Sequence, residues 1–215
     1  MRNLFMKAAL LFMSVALLFN PLHPEAKGKA NPPRQCMDES SVQLQHALRK
    51  LWIDHTIWTR SYIVSAISGL DDQEKILARL LKNQDDIGNA IKPYYGEEAG
   101  NKLAQLLREH IQLAGKVVEA AKSGNQDNFK KYNAEWYRNA DDIALFLSQA
   151  NPNWDNEELK ELLYTHLQLL TDQVSARLKK DTDAEIVAFD QGEDHIIKLA
   201  DVLTKGIIKQ FPKKF

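Results

Sequence analysis

The sequence predicts an all-α protein built as six helices in three antiparallel hairpins, and three observations carry that prediction. Apolar residues recur at three- and four-residue spacings along the chain, and no stretch alternates like a half-buried strand. Residues that start and stop helices fall at helical intervals. A loose internal repeat also sets Leu51-Trp52-Ile53-Asp54-His55, Leu106-Leu107-Arg108-Glu109-His110 and Leu162-Leu163-Tyr164-Thr165-His166 at offsets of 55 and 56 residues. A period of that length fits a helix–turn–helix unit.

The helices are expected near 41–68, 72–92, 97–122, 127–149, 156–180 and 183–209. Gly69 stops the first, and Asp71 with Glu74 has the capping-box spacing to start the second. Pro93 ends the second, and Gly124 separates the third from the fourth. Pro152 closes the fourth; Asp155 with Glu158 opens the fifth, and Thr182 with Glu185 opens the sixth. Gly192 weakens the last helix locally, and Pro212 lies just beyond its end. Short connections make consecutive helices antiparallel neighbours, giving an up-and-down bundle over 41–215 as one domain of three quasi-repeats.

Before that domain, Arg2 and Lys7 flank a 12-residue apolar run from Ala8 to Phe19, the pattern of an export signal and too short to span a bilayer comfortably. Cleavage is expected after Ala30, with Ala26 as the other choice, so that 1–30 is a signal peptide and 31–40 a flexible linker. Any membrane attachment would run through an uncleaved N-terminus. The lone Cys36 can form no internal disulfide, and the residues before it lack a lipoprotein pattern. About 185 mature residues suffice for one core without staples.

Removing residues 1–30 leaves 24 basic and 28 acidic side chains, a net charge of −4. Charges of both signs alternate along polar faces, which argues against a nucleic-acid partner. Only Lys205, Lys209, Lys213 and Lys214 cluster, and they suit a helix C-terminus.

Each repeated histidine is flanked at helical spacing by apolar residues, so His55, His110 and His166 are expected to point inward. About 30 residues later come Asn83-Gln84-Asp85-Asp86-Ile87, Asn139-Ala140-Asp141-Asp142-Ile143 and Gly192-Glu193-Asp194-His195-Ile196, which supply hydrogen-bonding partners. The preferred reading is a buried histidine–acid or histidine–amide bond that sets the register of each hairpin. The alternative is a divalent metal held by His55, His110, His166, His195, Asp86 and Asp142, as facing helices of bundles do elsewhere. Against it, no unit has Glu-x-x-His spacing, and adjacent pairs such as Glu109-His110 point about 100° apart on a helix. His46 is expected at a helix edge or in solvent.

Trp52, Trp58, Arg60 and Tyr62, with Trp136, Tyr137 and Trp154, could line an aromatic cleft, but at these helical spacings ordinary core packing is the preferred reading. Arg138, Asp141 and Asp142 read as a local ion pair on a solvated face rather than as a proton-transfer pair. Enzyme signatures are lacking: there is no Gly-rich phosphate loop, nucleophile elbow or His-Glu-x-x-His.

Trp52-x-Asp54-His55-x-x-Trp58-Thr59-Arg60, Trp136-Tyr137-x-Asn139-Ala140-Asp141-Asp142-Ile143-Ala144, Asn151-Pro152-x-Trp154 and the ending Gly206-Ile207-Ile208-Lys209-Gln210-Phe211 resemble a family of small uncharacterised helical proteins from Bacillus and Clostridium relatives. The resemblance covers 48–212. Members are often misnamed acetylglutamate kinase, an α/β enzyme whose strands and phosphate loops this chain lacks. The resemblance implies a Gram-positive source and carries over no catalytic residue. The expectation is an exported, non-enzymatic binding or interaction protein at the cell envelope, secreted or wall-associated, whose partner is an envelope component or a small ligand; the competing class is a histidine/carboxylate metalloprotein.

Overall fold

A computed structural model of the chain describes residues 38–215. The expected signal peptide, Cys36 and most of the expected linker lie outside the described residues. The described chain is all-helical: α1 (Glu39–Ser68), α2 (Gln73–Lys122), α3 (Gln126–Ala150), α4 (Asn156–Leu178) and α5 (Thr182–Gln210), followed by a 3-10 turn at Pro212–Lys214. No strand occurs among the described residues, and none of their helices is long and apolar enough to cross a membrane.

Five helical elements stand where the sequence predicts six. Helical hydrogen bonding runs past Pro93, and α2 changes direction at one residue, Gly96 (φ 85°, ψ 172°), in a conformation that side chains with a Cβ avoid. The portions on either side, 73–95 and 97–122, fold back on each other. Residues 12 apart on a straight helix lie about 18 Å apart, yet a Cβ added at Gly88 would sit 2.5 Å from the Gly100 carbonyl oxygen. Arg108 reaches back to Asp85 across the same seam. Glycine at both positions permits this backbone approach.

The starts of the helices also shift. Asp38 caps α1 by accepting from the Ser41 amide, and Asp155 caps α4 as the spacing predicts. At α5 the cap is Asp181, one residue before the expected Thr182, and it accepts from the Ala184 amide at 3.0 Å. Glu185 therefore returns no capping bond. Its buried carboxylate instead lies 3.0 Å from Arg177 and 3.3 Å from Arg60, tying α5 to α4 and α1. Before α2 the cap position is Asp72 rather than Asp71; its side chain makes no capping bond and accepts from the Ser65 hydroxyl at 2.5 Å.

Three turns at one end of the bundle share a geometry. Gly69, Gly124 and Lys180 take φ values of 64°, 70° and 60°. The residue after each donates its amide to the carbonyl five positions earlier, on Ser65, Ala120 and Ala176, each at 3.0 Å. This is the Schellman closure, which satisfies carbonyls left open at a helix end.

Each helix packs on the next, and α5 returns to α1, so the bundle closes on itself. Arg49 clasps Asp201 across the α1–α5 closure with hydrogen bonds of 2.7 and 2.6 Å. Burial of side chains such as Leu48, Ile87, Ile143, Leu159, Leu167, Ile196 and Leu199 drives assembly, each contributing about 1.5–3 kcal/mol relative to exposure. Three helical stretches, α1, 97–122 of α2, and α4, carry the repeated histidines.

Candidate functional site

His55, His110 and His166 converge. They are 2%, 4% and 4% exposed, and the His166 ring lies 5.5 Å from that of His55 and 6.4 Å from that of His110, between centroids. Equal position along three helices, set by the apolar residues around each, brings them to one level.

The three are partnered differently. The Trp136 indole N–H donates to His110 Nε2 at 3.0 Å, so this nitrogen carries a lone pair and the proton sits on Nδ1. That N–H donates to Asn139 Oδ1 at 2.7 Å, and Asn139 Nδ2 donates to the Leu106 carbonyl at 3.2 Å. His110 is thus neutral with both nitrogens engaged. His55 Nδ1 accepts a longer bond of 3.3 Å from Gln84 Nε2. Among the described residues, His166 Nε2 is buried without a hydrogen-bond partner, as is Trp52 Nε1 beside His55.

Burial dominates the acid–base behaviour. It pushes the His55 pKa down to about 3, reinforced by His110. For His110 burial lowers the value to about 4 against the opposing Asn139 bond. His166 falls well below the ordinary range through burial and then through the other three histidines. A dry centre disfavours the imidazolium.

The second helices meet the first through one recurring bond. Asn83 Nδ2 donates to the Leu51 carbonyl at 3.0 Å, Asn139 Nδ2 to the Leu106 carbonyl at 3.2 Å, and His195 Nε2 to the Leu162 carbonyl at 2.7 Å. The register of the third pair therefore corrects the sequence alignment, which set Gly192 opposite Asn83 and Asn139. His195 takes that place, three residues later. The paired acids had guided the alignment, but they lie toward solvent and report no core register.

Of the six metal candidates, His55, His110 and His166 meet, but the six do not form one ligand set among the described residues. Asp86 pairs with Lys82 near the surface and Asp142 is exposed. Asp85 pairs with Arg108, and Asp141 accepts from the Tyr164 hydroxyl at 2.6 Å. His195 is buried and bonded to backbone, while both nitrogens of His110 are taken by protein groups. Among the described residues no group of three or more His, Cys, Asp or Glu side chains is placed to hold a metal ion. His46 is exposed, as expected.

One helical turn beyond the histidines, toward the Schellman turns, the centre opens into an apolar cavity of about 330 Å³. Thr59, Ala114 and Leu170, each four residues after a repeated histidine, belong to its wall nearest the imidazoles. Ile63, Val117, Val118 and Val174 continue the wall, with Trp136 and Phe129 contributed by α3. Gln126, Leu178 and Lys179, from helix ends, lie toward the turns. Such a volume and lining suit a small apolar molecule.

Of the aromatic residues considered as cleft walls, only Tyr62 and Trp136 line this cavity. Trp52 packs against His55, and Trp58 faces the Arg79 guanidinium at 5.1 Å. Tyr137 packs on Tyr164, and Trp154 packs on Tyr95. Sequence reasoning missed the aliphatic lining, whose signal is a fall in side-chain size across the histidines in two of the three units, from Trp52 to Thr59 and from Leu107 to Ala114, with leucine at both Leu163 and Leu170 in the third. The chain matches no family model, no curated protein and no solved structure.

Proposed function

We propose that this chain is a non-enzymatic binding protein of the cell envelope, an exported bundle of three quasi-repeated hairpins that holds a small apolar ligand in its central cavity. The export pattern of the N-terminus supports the location, and the motif resemblance to helical proteins of Bacillus and Clostridium relatives supports a Gram-positive source. The cavity is the observation that carries the reading. It has an aliphatic and aromatic lining, opens near the helix ends, and at about 330 Å³ has roughly twice the volume of an engineered 150 Å³ cavity that takes up benzene. The histidines suit a structural role beneath it, because His110 directs both nitrogens into the protein.

Naphthalene is a suitable first probe, since it is apolar, rigid and small enough for such a space. Binding to the native state alone raises Tm, and naphthalene is expected to raise that of the purified protein by several degrees. Ala114→Phe, which fills the cavity from its wall, should abolish the rise while keeping the helical circular dichroism. A rise of equal size in the variant would place the ligand elsewhere, and no rise in the wild type would remove the reading.

A further inference from the structure

Among the described residues, the cavity lining carries one charged side chain. Lys179, the C-cap residue of α4, is exposed and makes no ion pair with a described residue. Among the described residues, no acidic side chain lines the cavity. Along α4 the wall runs from Leu170 to Lys179, a helical rise of about 13 Å. A space of that volume and reach accommodates an aliphatic chain. The apolar lining, with its one described cation toward the turns, matches an amphiphile with an apolar tail and an anionic head.

Resting on the cavity reading above, we propose that the ligand is an aliphatic monocarboxylate of about ten carbons, a tail matched to that helical rise, bound tail-inward with its carboxylate at the Lys179 ammonium. A tail along Val174, Val117 and Ile63 leaves the neutral histidine layer untouched. The head remains near water, so neither the carboxylate nor Lys179 is stripped of solvent, and the pair avoids the large desolvation cost of a buried ion pair. The same half-exposed geometry limits what the charge contributes: most of the affinity comes from the tail, and the head sets the choice between ligands.

Calorimetric titration with decanoate and with 1-decanol, both below their aggregation limits, separates the two layers of the argument. The wild type should bind decanoate about fivefold more tightly than decanol, the size expected of a solvent-exposed ion pair. Lys179→Glu should reverse that preference and leave decanol affinity within about twofold, since the substitution lies at the rim. Ala114→Phe should eliminate binding of both. Equal affinities for the two ligands, with no effect of Lys179→Glu, would overturn the carboxylate assignment while leaving the cavity reading intact. Binding of neither ligand, together with no naphthalene-induced rise in Tm, would overturn both. Decanoate binding that survives Ala114→Phe would place the ligand on the surface and overturn the assignment.

Discussion

The two halves of the bundle centre, on either side of the three histidines, use the same helices and the same inward positions, yet their cores differ. On the side toward the start of α1, Leu48, Leu103 and Leu159 are buried together with Trp52, Leu107 and Leu163. On the side toward the turns, the corresponding positions after the histidines carry Thr59, Ala114 and Leu170, and a cavity remains. Side-chain volume falls across the histidines on two of the three helices, from Trp52 to Thr59 and from Leu107 to Ala114. Interiors pack close to crystal density, so a cavity lined by ordered helices is a feature of the residue choice. The histidine layer divides the halves, with hydrogen bonds that aim each second helix at its first.

Acid is the strongest way to break this divided centre. In the folded protein the pKa of His55 is about 3 and that of His110 about 4, and that of His166 also falls well below the ordinary value. The unfolded chain binds protons near pH 6.5, so between that pH and the folded values it holds more protons than the native state. Stability is therefore full above about pH 6.5 and falls as pH drops toward the folded pKa values. Each buried histidine contributes a loss on the order of 1 kcal/mol per pH unit in this window. Urea unfolding at pH 7.0, 5.5 and 4.5 should show a steep decline. A flat profile would mean that the imidazoles already meet water, and the divider would not be dry.

A pair of leucines sharpens the contrast between the halves. Leu159→Ala removes a fully buried side chain from the packed half and should cost about 4 kcal/mol. Leu170→Ala removes one that already borders empty space, and its cost should lie near about 2 kcal/mol, because fewer contacts are lost. Urea midpoints with unchanged slopes provide the comparison. Equal costs would show that the turn-side half is as closely packed as the other.

Much of this arrangement was legible in the chain. Apolar spacing identified the helices, and the recurrence of Leu-x-x-x-His identified the residues that meet at the centre. Two local features misled. Pro93 signalled an interruption that the backbone delays until Gly96, because a helix can continue past a proline whose lost hydrogen bond falls near its end. The acidic pairs suggested a phase for the third unit that core packing does not follow; His195, with Leu199 beneath it, occupies the inward sites that Asn83 and Ile87 fill in the first. Tautomers and partners were beyond sequence reach, since they depend on which neighbouring helix supplies an N–H. Trp136 supplies one to His110, whereas His166 Nε2 receives none.

The smallest effect tests whether the turn-side cavity costs the protein stability. Ala114 stands where the other two units have Thr59 and Leu170, and its methyl group forms part of the cavity wall. Ala114→Leu adds three carbon atoms to a helix interior, where leucine is nearly as favourable as alanine, and directs them into existing space rather than against packed neighbours. Filling an apolar cavity of this kind commonly contributes about 0.5–2 kcal/mol. The variant should unfold at a higher urea concentration without ligand and should lose the naphthalene response. A lower midpoint would mean that the helices close over the space when it is empty, because a side chain forced into a closed core strains its neighbours. A higher midpoint together with lost binding would show that the protein keeps a cavity at the expense of its own stability, as a site maintained for a ligand requires.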